Sequence, residues 1–291
     1  MATITRPPNT IAFQGLPGAY SHLACRHAFP RMKALPTASF DETLSAVRKG
    51  RAKYAMIPIE NSVAGRVADI YRLMPESGLF IIAEHFQRVN HHLLAPQGAT
   101  LKTVKTVHSH VHALGQCGKL IRQRRLTPIV HADTAGAAKD IAARNDPTQA
   151  AIASALAAET YGLNSLKANI EDAEHNTTRF LVMARKPVRP KRDGKTLITT
   201  FVFRVRNVPA ALYKAMGGFA TNGVNMTKLE SYLVGGGFNP AQFYADIEGD
   251  PRDRGVMLAL EELEFFSDEL KVLGTYVADP FRYGGKPDET E

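Results

Sequence analysis

Five times before residue 155, a short apolar stretch runs into one or two small polar residues and then into an amphipathic segment. The apolar stretches are 10–13, 54–59, 104–107, 128–130 and 150–153, and the residues that follow them include Ser21, Asn61, Ser62, Ser109, Thr134 and Ser154. Strands alternating with helices of this length predict βαβ units and a largely parallel sheet, an α/β fold. Small hydroxyl and amide residues at such junctions are N-cap chemistry. A helix N-terminus also offers free N–H groups and the positive end of a dipole to an anion. Several junctions could therefore converge on one anionic ligand in the crevice at the carboxyl ends of the strands. Taken singly, each reads better as a cap.

The pattern stops at 186–196, where two prolines, a glycine and five cations read as a linker. Beyond it the order is strand, helix, strand, glycine turn at 235–237, strand, helix, strand. That is βαββαβ, a ferredoxin-like small domain over 197–280, with a mobile tail at 281–291. A length of 291 residues agrees with more than one domain.

Charge follows the same division. Residues 1–185 hold 22 basic and 13 acidic side chains, 186–196 hold 5 and 1, and 197–291 hold 9 and 14, giving +9, +4 and −5 for the total of +8. All ten histidines lie in the first segment. A basic protein invites a nucleic-acid reading, but the acidic last third and the lack of RNP, zinc-finger or dense Arg/aromatic motifs fit it poorly. A small anionic substrate explains a moderately basic domain as well. The 44% apolar composition excludes global disorder, and no apolar run approaches the ~18 residues of a membrane span. The start lacks the apolar core of a secretory signal, and Cys25 and Cys117 are far apart with no C-x-x-C. The expectation is a reduced cytoplasmic protein without a disulfide framework.

Several chemistries lack their signatures. Gly15-x-x-Gly18 has neither dinucleotide spacing nor a following Lys-Ser/Thr, and reads as a loop where backbone approaches an anion. His108, His110 and His112 would share a face only on a continuing strand, and Ser109 reads as a helix cap that ends it, so no metal site is expected. A Ser-His-Asp hydrolase has no G-x-S-x-G elbow here. More informative is 161–183, where a polar cluster runs directly into a strand at Thr177, Thr178, Arg179 and Phe180. A hydroxyl there can donate a hydrogen bond and the guanidinium can hold a carboxylate; equally, the pair can close a loop.

Motifs along nearly the whole chain resemble bacterial prephenate dehydratase with a C-terminal ACT regulatory domain. They are Gly15-x-x-Gly18-Ala19-Tyr20-Ser21, then Pro58-Ile59-Glu60-Asn61-Ser62-x-x-Gly65, then Ser109-His110 with Ala113, Gln116 and Cys117. The most specific is Tyr161-x-Leu163-x-x-Leu166, followed at set spacing by Asp172 and Thr178-Arg179-Phe180.

The resemblance implies a catalytic domain at 1–185 of two α/β lobes, like a type II periplasmic binding protein, with the substrate cleft between them. One lobe would be 10–88 with 176–185 and the other 89–175. The implied reaction takes prephenate to phenylpyruvate, water and carbon dioxide, with no cofactor and no metal. Thr178 becomes the catalytic hydroxyl, donating to the leaving oxygen. Tyr20, Ser21, Asn61, Ser62, Ser109, Thr134, Ser154, Thr177, Arg179 and Phe180 become substrate contacts, and Glu60 a site acid or a structural cap. The second domain would bind L-phenylalanine between subunits of a homodimer or homotetramer, through Ala210, Ala211, Leu212, Asn225, Met226, Leu229, Glu230 and Ser231. Ala210 stands where the family's first ACT motif, here 207–212, has glycine, and Tyr232-Leu233 replaces Arg-Pro after the second, 227–231. Arogenate dehydratase, a non-enzymatic two-lobed amino-acid sensor and a nucleic-acid-binding protein are the rival readings. No membrane partner is expected.

Overall fold

In the computed structural model, which describes residues 8–173, 175–206, 208–233 and 241–285, the chain builds three β-sheets. The first begins with β1 (Thr10–Gln14), passes through α1 (Tyr20–Ala28) to β2 (Lys33–Thr37), and through α2 (Phe40–Arg48) to β3 (Tyr54–Asn61). β1 pairs in parallel with both neighbours, as helical crossovers require. Its alternate side chains pack on different helices: Ala12 shares a core with Leu44 and Val47 of α2, while Ile11 and Phe13 share one with Ala24 and Cys25 of α1.

After β3 the expected helix start at Asn61-Ser62 is replaced by a hairpin. Asn61 Oδ1 accepts from the N–H groups of Val63 and Ala64 at 2.9 and 2.8 Å, closing a side-chain-mediated turn. Gly65, at φ +82°, completes it into β4 (Gly65–Arg66), and α3 (Ala68–Glu76) starts only afterwards. β5 (Phe80–Arg88) then leads out of the first sheet.

The second sheet comprises β6 (His92–Ala95), β7 (Thr106–Ser109), β8 (Thr127–Val130), β9 (Gln149–Ala153) and β10 (Asn164–Lys167), in the order β10-β6-β9-β7-β8. Between them lie α4 (Val111–Gln116), α5 (Gly118–Arg124), α6 (Thr134–Arg144) and α7 (Ala155–Tyr161). Asp133 and Ser154 cap α6 and α7 with their side-chain oxygens. Ser109 does not cap α4: it is the last residue of β7, and His110 Nδ1 accepts from His112 N–H instead. The chain returns in β11 (Thr177–Ala184), antiparallel between β3 and β5. Two connections, before β6 and after β10, thus join the lobes.

The third unit runs β12 (Leu197–Val205), α8 (Ala211–Thr221), β13 (Met226–Leu233), β14 (Ala241–Glu248), α9 (Arg254–Phe265) and β15 (Ser267–Val277). Its antiparallel sheet has the order β13-β14-β12-β15, so β13 is an edge. One face packs under α8 and α9. The other shares a continuous apolar core with the first sheet, Ile57, Ile81 and Leu181 meeting Val202, Tyr244, Leu273 and Tyr276. At Gly274 the approach is so close that a Cβ would lie 2.1 Å from the Ile81 carbonyl oxygen. The expected glycine turn at 235–237 lies outside the described residues.

The tail expected to be mobile from 281 is held at its start. A 3₁₀ turn, Pro280–Tyr283, packs Phe281 on Phe86 at 4.9 Å between ring centres and sends Arg282 onto Glu84 and Asp246. Among the described residues no helix is long and apolar enough to cross a membrane.

Candidate active site

β11 brings different chemistry to its two faces because successive side chains alternate. Phe180 and Val182 point toward α1, whereas Leu181 and Met183 point toward the third unit. By the same alternation Thr178 lies on the α1 side, here called the front, and Arg179 on the rear.

On the front, Thr178 and Asn61 are direct partners across the β11–β3 ladder. Asn61 Nδ2 donates to Thr178 Oγ1 at 3.0 Å and to Asn176 Oδ1 at 2.8 Å. Asn176 Nδ2 donates to Gln116 Oε1 at 2.9 Å, and His91 Nε2 lies 2.9 Å from the same oxygen. His91 Nδ1 lies 2.8 Å from the hydroxyl of Tyr20, whose single hydrogen is shared with the Asn90 carbonyl, also at 2.8 Å. Because Gln116 Oε1 is an acceptor, a neutral His91 carries its proton on Nε2 and accepts at Nδ1. Burial holds the His91 pKa below its ordinary value and keeps the ring neutral, against the opposing effect of its hydrogen bond to Gln116. Burial likewise pushes the Tyr20 phenol up. The chain of groups runs from Thr178 in one lobe, through Gln116 and His91 in the other, and back to Tyr20.

On the rear, Arg179 is almost fully buried and contacts three carboxylates. Its Nε is 2.9 Å from Glu84 Oε2, and its Nη1 is 3.0 Å from Glu60 Oε1 and 2.7 Å from Asp246 Oδ2. Nη2 donates to the Tyr276 hydroxyl at 3.0 Å. Lys228 Nζ meets Glu60 Oε2 at 2.5 Å, and Arg282 pairs with Glu84 and Asp246, so three cations balance three carboxylates. Burial alone would raise the Glu60 and Asp246 pKa values. Arg179 with Lys228 at Glu60, and Arg179 with Arg282 at Asp246, outweigh it and hold both below the ordinary range. Beside this cluster is a cavity of about 220 Å³ lined by Glu60, Ser62, Phe86, Thr177 and Phe281 among others.

The sequence-predicted residues are thus distributed unevenly. Thr178 and Asn61 meet on the front, and Tyr20, with Ser21 beside it in the first turn of α1, is joined to them only through Asn176, Gln116 and His91. Ser62 closes the hairpin, donating to the His175 carbonyl at 2.6 Å and accepting from Thr177 N–H at 2.9 Å. Three expected substrate contacts are engaged elsewhere. The buried hydroxyl of Ser109 donates to the Ile152 carbonyl, and that of Ser154 to the Gly18 carbonyl, each at 2.6 Å. Phe180 is fully buried among Phe13, Cys25 and Met56. Gly18 serves close packing: at φ +87°, a Cβ there would lie 2.8 Å from Ala157 Cα. Thr134 opens α6, and no hydrogen bond among the described residues joins it to the Thr178 group. Arg179 faces carboxylates of its own chain, and Glu60 is held as a carboxylate behind the sheet, neither a cap nor an acid on the front.

Sequence reasoning did not place His91 and Asn176 in the site, and quoted Gln116 only within a motif. Asn176 lies inside the polar run that ends at Thr178, which was its one signal. Among the described residues no group of three or more His, Cys, Asp or Glu is placed to hold a metal ion.

In the third unit, Ala210 takes φ +60° as the residue before α8, a left-handed conformation that strains a side-chain-bearing residue and suits glycine. Ala211 is buried, and Leu212 and Met226 pack on the unit's core. Asn225 donates to Glu248 at 3.0 Å, Leu229 and Ser231 are exposed along the edge strand, and Glu230 pairs with Lys228 and Arg66.

Comparison with known proteins places this geometry. Residues 11–188 match the family model described as prephenate dehydratase. A bifunctional N-acyl-homoserine lactone acylase/prephenate dehydratase of Komagataeibacter europaeus is 52% identical over 94% of this chain and 97% of its own length. Arogenate dehydratase/prephenate dehydratase 2 of Arabidopsis thaliana is 38% identical over 92% of this chain and 73% of its own. The solved prephenate dehydratase of Arthrobacter aurescens in complex with L-Phe superposes with a TM-score of 0.84, at 30% identity over 92% of this chain and 90% of its own. The structure of GqqA, described as a novel type of quorum quenching acylase, superposes with 0.88 at 51% identity over 94% and 99%. A hydroxyl polarised by an amide in a two-lobed α/β frame, over a stretch that the family model spans, makes this chain a dehydratase of the prephenate dehydratase family.

Proposed function

We propose that the enzyme converts prephenate to phenylpyruvate with loss of water and carbon dioxide, in L-phenylalanine biosynthesis. The observation that carries this is the Asn61–Thr178 hydrogen bond. Asn61 donates into the Thr178 oxygen, which makes the Thr178 hydroxyl a better donor and leaves its hydrogen for the substrate. The ring carboxylate departs as carbon dioxide, its electron pair enters the ring, and the ring hydroxyl leaves with a proton as water. Aromatisation supplies the driving force, so the enzyme's part is to hold geometry and stabilise the departing oxygen. Thr178 is the donor to that oxygen; Asn61, which bonds it directly, and Tyr20, Ser21 and Ser62 supply the remaining contacts. The test is incubation with prephenate and, separately, arogenate while the absorbance of phenylpyruvate or the release of phenylalanine is followed. Turnover of arogenate alone would assign the amino-acid substrate instead.

The βαββαβ unit is an ACT regulatory domain that binds L-phenylalanine where two subunits meet along β13 and the start of α8, in a homodimer or homotetramer of the cytoplasm. Support comes from the L-Phe complex of the 30% identical relative and from the edge position of β13. Calorimetric titration with phenylalanine up to millimolar concentration tests it; no heat would remove the regulatory assignment. A second activity, amide hydrolysis of N-acyl-homoserine lactones, is favoured by the 52% identical relative that spans the same length. Release of the free fatty acid from such a lactone decides it.

A further inference from the structure

One β-rung carries both the reaction and the contact with the third unit. Thr178 pairs with Asn61 on the front, and the next residues, Arg179 and Glu60, pair behind it. Those rear residues are gripped from three strands of the third unit. Asp246 of β14 and Tyr276 of β15 take the Arg179 guanidinium, and Lys228 of β13 takes the Glu60 carboxylate. The grip is stiff because it is buried. Arg179 and Asp246 are essentially inaccessible, and Thr200 adds a 2.6 Å bond to Asp246. The ladder, by contrast, is irregular at this point, with a register shift between Arg179 and Phe180. A bulged rung has less of its geometry fixed by strand pairing, so its side-chain anchors do more to set it.

We propose that Lys228 and Asp246 are positioning residues for the dehydration: by holding Glu60 and Arg179 behind the sheet, they keep Asn61 and Thr178 at hydrogen-bonding distance in front of it. The third unit then takes part in forming the catalytic geometry and is more than an appended sensor. β13, the strand that bears Lys228, also bears Leu229, Glu230 and Ser231, so anything that shifts this edge strand moves the Glu60 anchor. The inference rests on the reading that Thr178 carries the reaction.

The experiment compares wild type, Lys228→Met, Lys228→Arg and Asp246→Asn in the full chain with prephenate as substrate, beside Thr178→Ala. Lys228→Met should lower kcat about tenfold while KM stays within about twofold, because geometry is lost and binding is not. Lys228→Arg should restore most of kcat. The acid limb of kcat should move to higher pH in Lys228→Met. Glu60 faces Arg179 from β11, Lys228 and Glu230 from β13, Arg66 from β4, Asp246 from β14 and Tyr71 from α3, and losing the β13 cation favours its protonation. Lys228 sits on an edge strand, so its variants report even if the buried Asp246→Asn fails to fold. Wild-type kcat and pH profile in a folded Lys228→Met would overturn the proposal. Loss of activity not rescued by Lys228→Arg, with KM rising as kcat falls, would do the same. If Thr178→Ala retained turnover, the catalytic reading itself would fail; if only Thr178→Ala lost it, the positioning role alone would.

Discussion

Asn61 Nδ2 donates to Thr178 Oγ1 at 3.0 Å across one rung of the β3–β11 ladder, and the same amide group donates its second hydrogen to Asn176. Both hydrogens of Asn61 are thereby fixed, and its oxygen is fixed by Val63 and Ala64 N–H. The amide cannot flip without losing four bonds, so the polarity it presents to Thr178 is set. Thr178→Ala should lower kcat by at least about 100-fold with the fold retained, the range for removing a positioned proton donor. Thr178→Ser should keep more of the rate than Thr178→Ala. Asn61→Ala should cost about 10- to 100-fold through the weakened hydroxyl. Steady-state phenylpyruvate formation with circular dichroism on each variant checks all three.

His91 ties the lobes, and its neutral ring gives that tie a pH dependence. Its folded pKa lies below the ordinary 6.5, so between the two values the unfolded chain binds a proton that the folded one does not. Stability from this group is full above about 6.5 and declines as pH falls from there toward the folded value. Replacing it with Ala leaves the Gln116 oxygen with one donor fewer and the Tyr20 phenol one partner short. His91→Ala should cost about 1–3 kcal/mol and flatten that decline. Urea unfolding at pH 5.5 and 7.5 on both proteins measures the difference.

The alternation of strands and helices was legible because apolar runs and cap residues are local signals; Ser154 is a cap as read, whereas Asp133 takes the cap before Thr134. The hairpin after β3 was not, because Asn61 closes a turn with the same oxygen chemistry that would cap a helix. Ser109 misled for a related reason: strand pairing extends β7 to it and passes the cap to His110. Thr178, proposed as the catalytic hydroxyl, was singled out through its motif. His91 and Gln116, further along the same chain of hydrogen bonds, lie 25 residues apart in the sequence and meet only through the tertiary fold. Arg179 shows the limit most plainly. A guanidinium beside a reacting group reads as a substrate ligand until Glu84 and Asp246, 95 and 67 positions away by number, are seen to occupy it.

Gly274 makes the junction of the third unit with the first sheet testable without touching a charged group. A Cβ there would sit 2.1 Å from a backbone oxygen of Ile81, and neither atom belongs to a flexible side chain. The sheets must separate or β15 must shift, with a cost of about 2 kcal/mol or more. Gly274→Ala should lower the thermal midpoint and speed proteolysis within 186–196, where no helix or strand protects the chain. An unchanged midpoint and cleavage rate would mean that the two sheets are free to separate in solution.

Acid should loosen the same junction by a different route. Glu60 and Asp246 have folded pKa values below their ordinary 4.5 and 3.8, because paired cations outweigh the effect of burial. For an acid with a depressed pKa, the unfolded chain binds protons first as pH falls. The stabilisation is therefore complete above about pH 5 and is lost on the way down through the folded values. Protonation also removes two of the three counter-charges of the buried Arg179, and a buried cation becomes more costly as its pairing is lost. Unfolding free energy should thus fall steeply below about pH 4.5, and activity should fall with it as the anchors behind Thr178 and Asn61 let go. Asp246→Asn should be less stable at pH 7 and show a shallower acid decline, since one of the depressed carboxyls is gone. Guanidinium titrations at several pH values, fitted for the slope of stability against pH, check the sign. A steeper decline in Asp246→Asn than in wild type would contradict it.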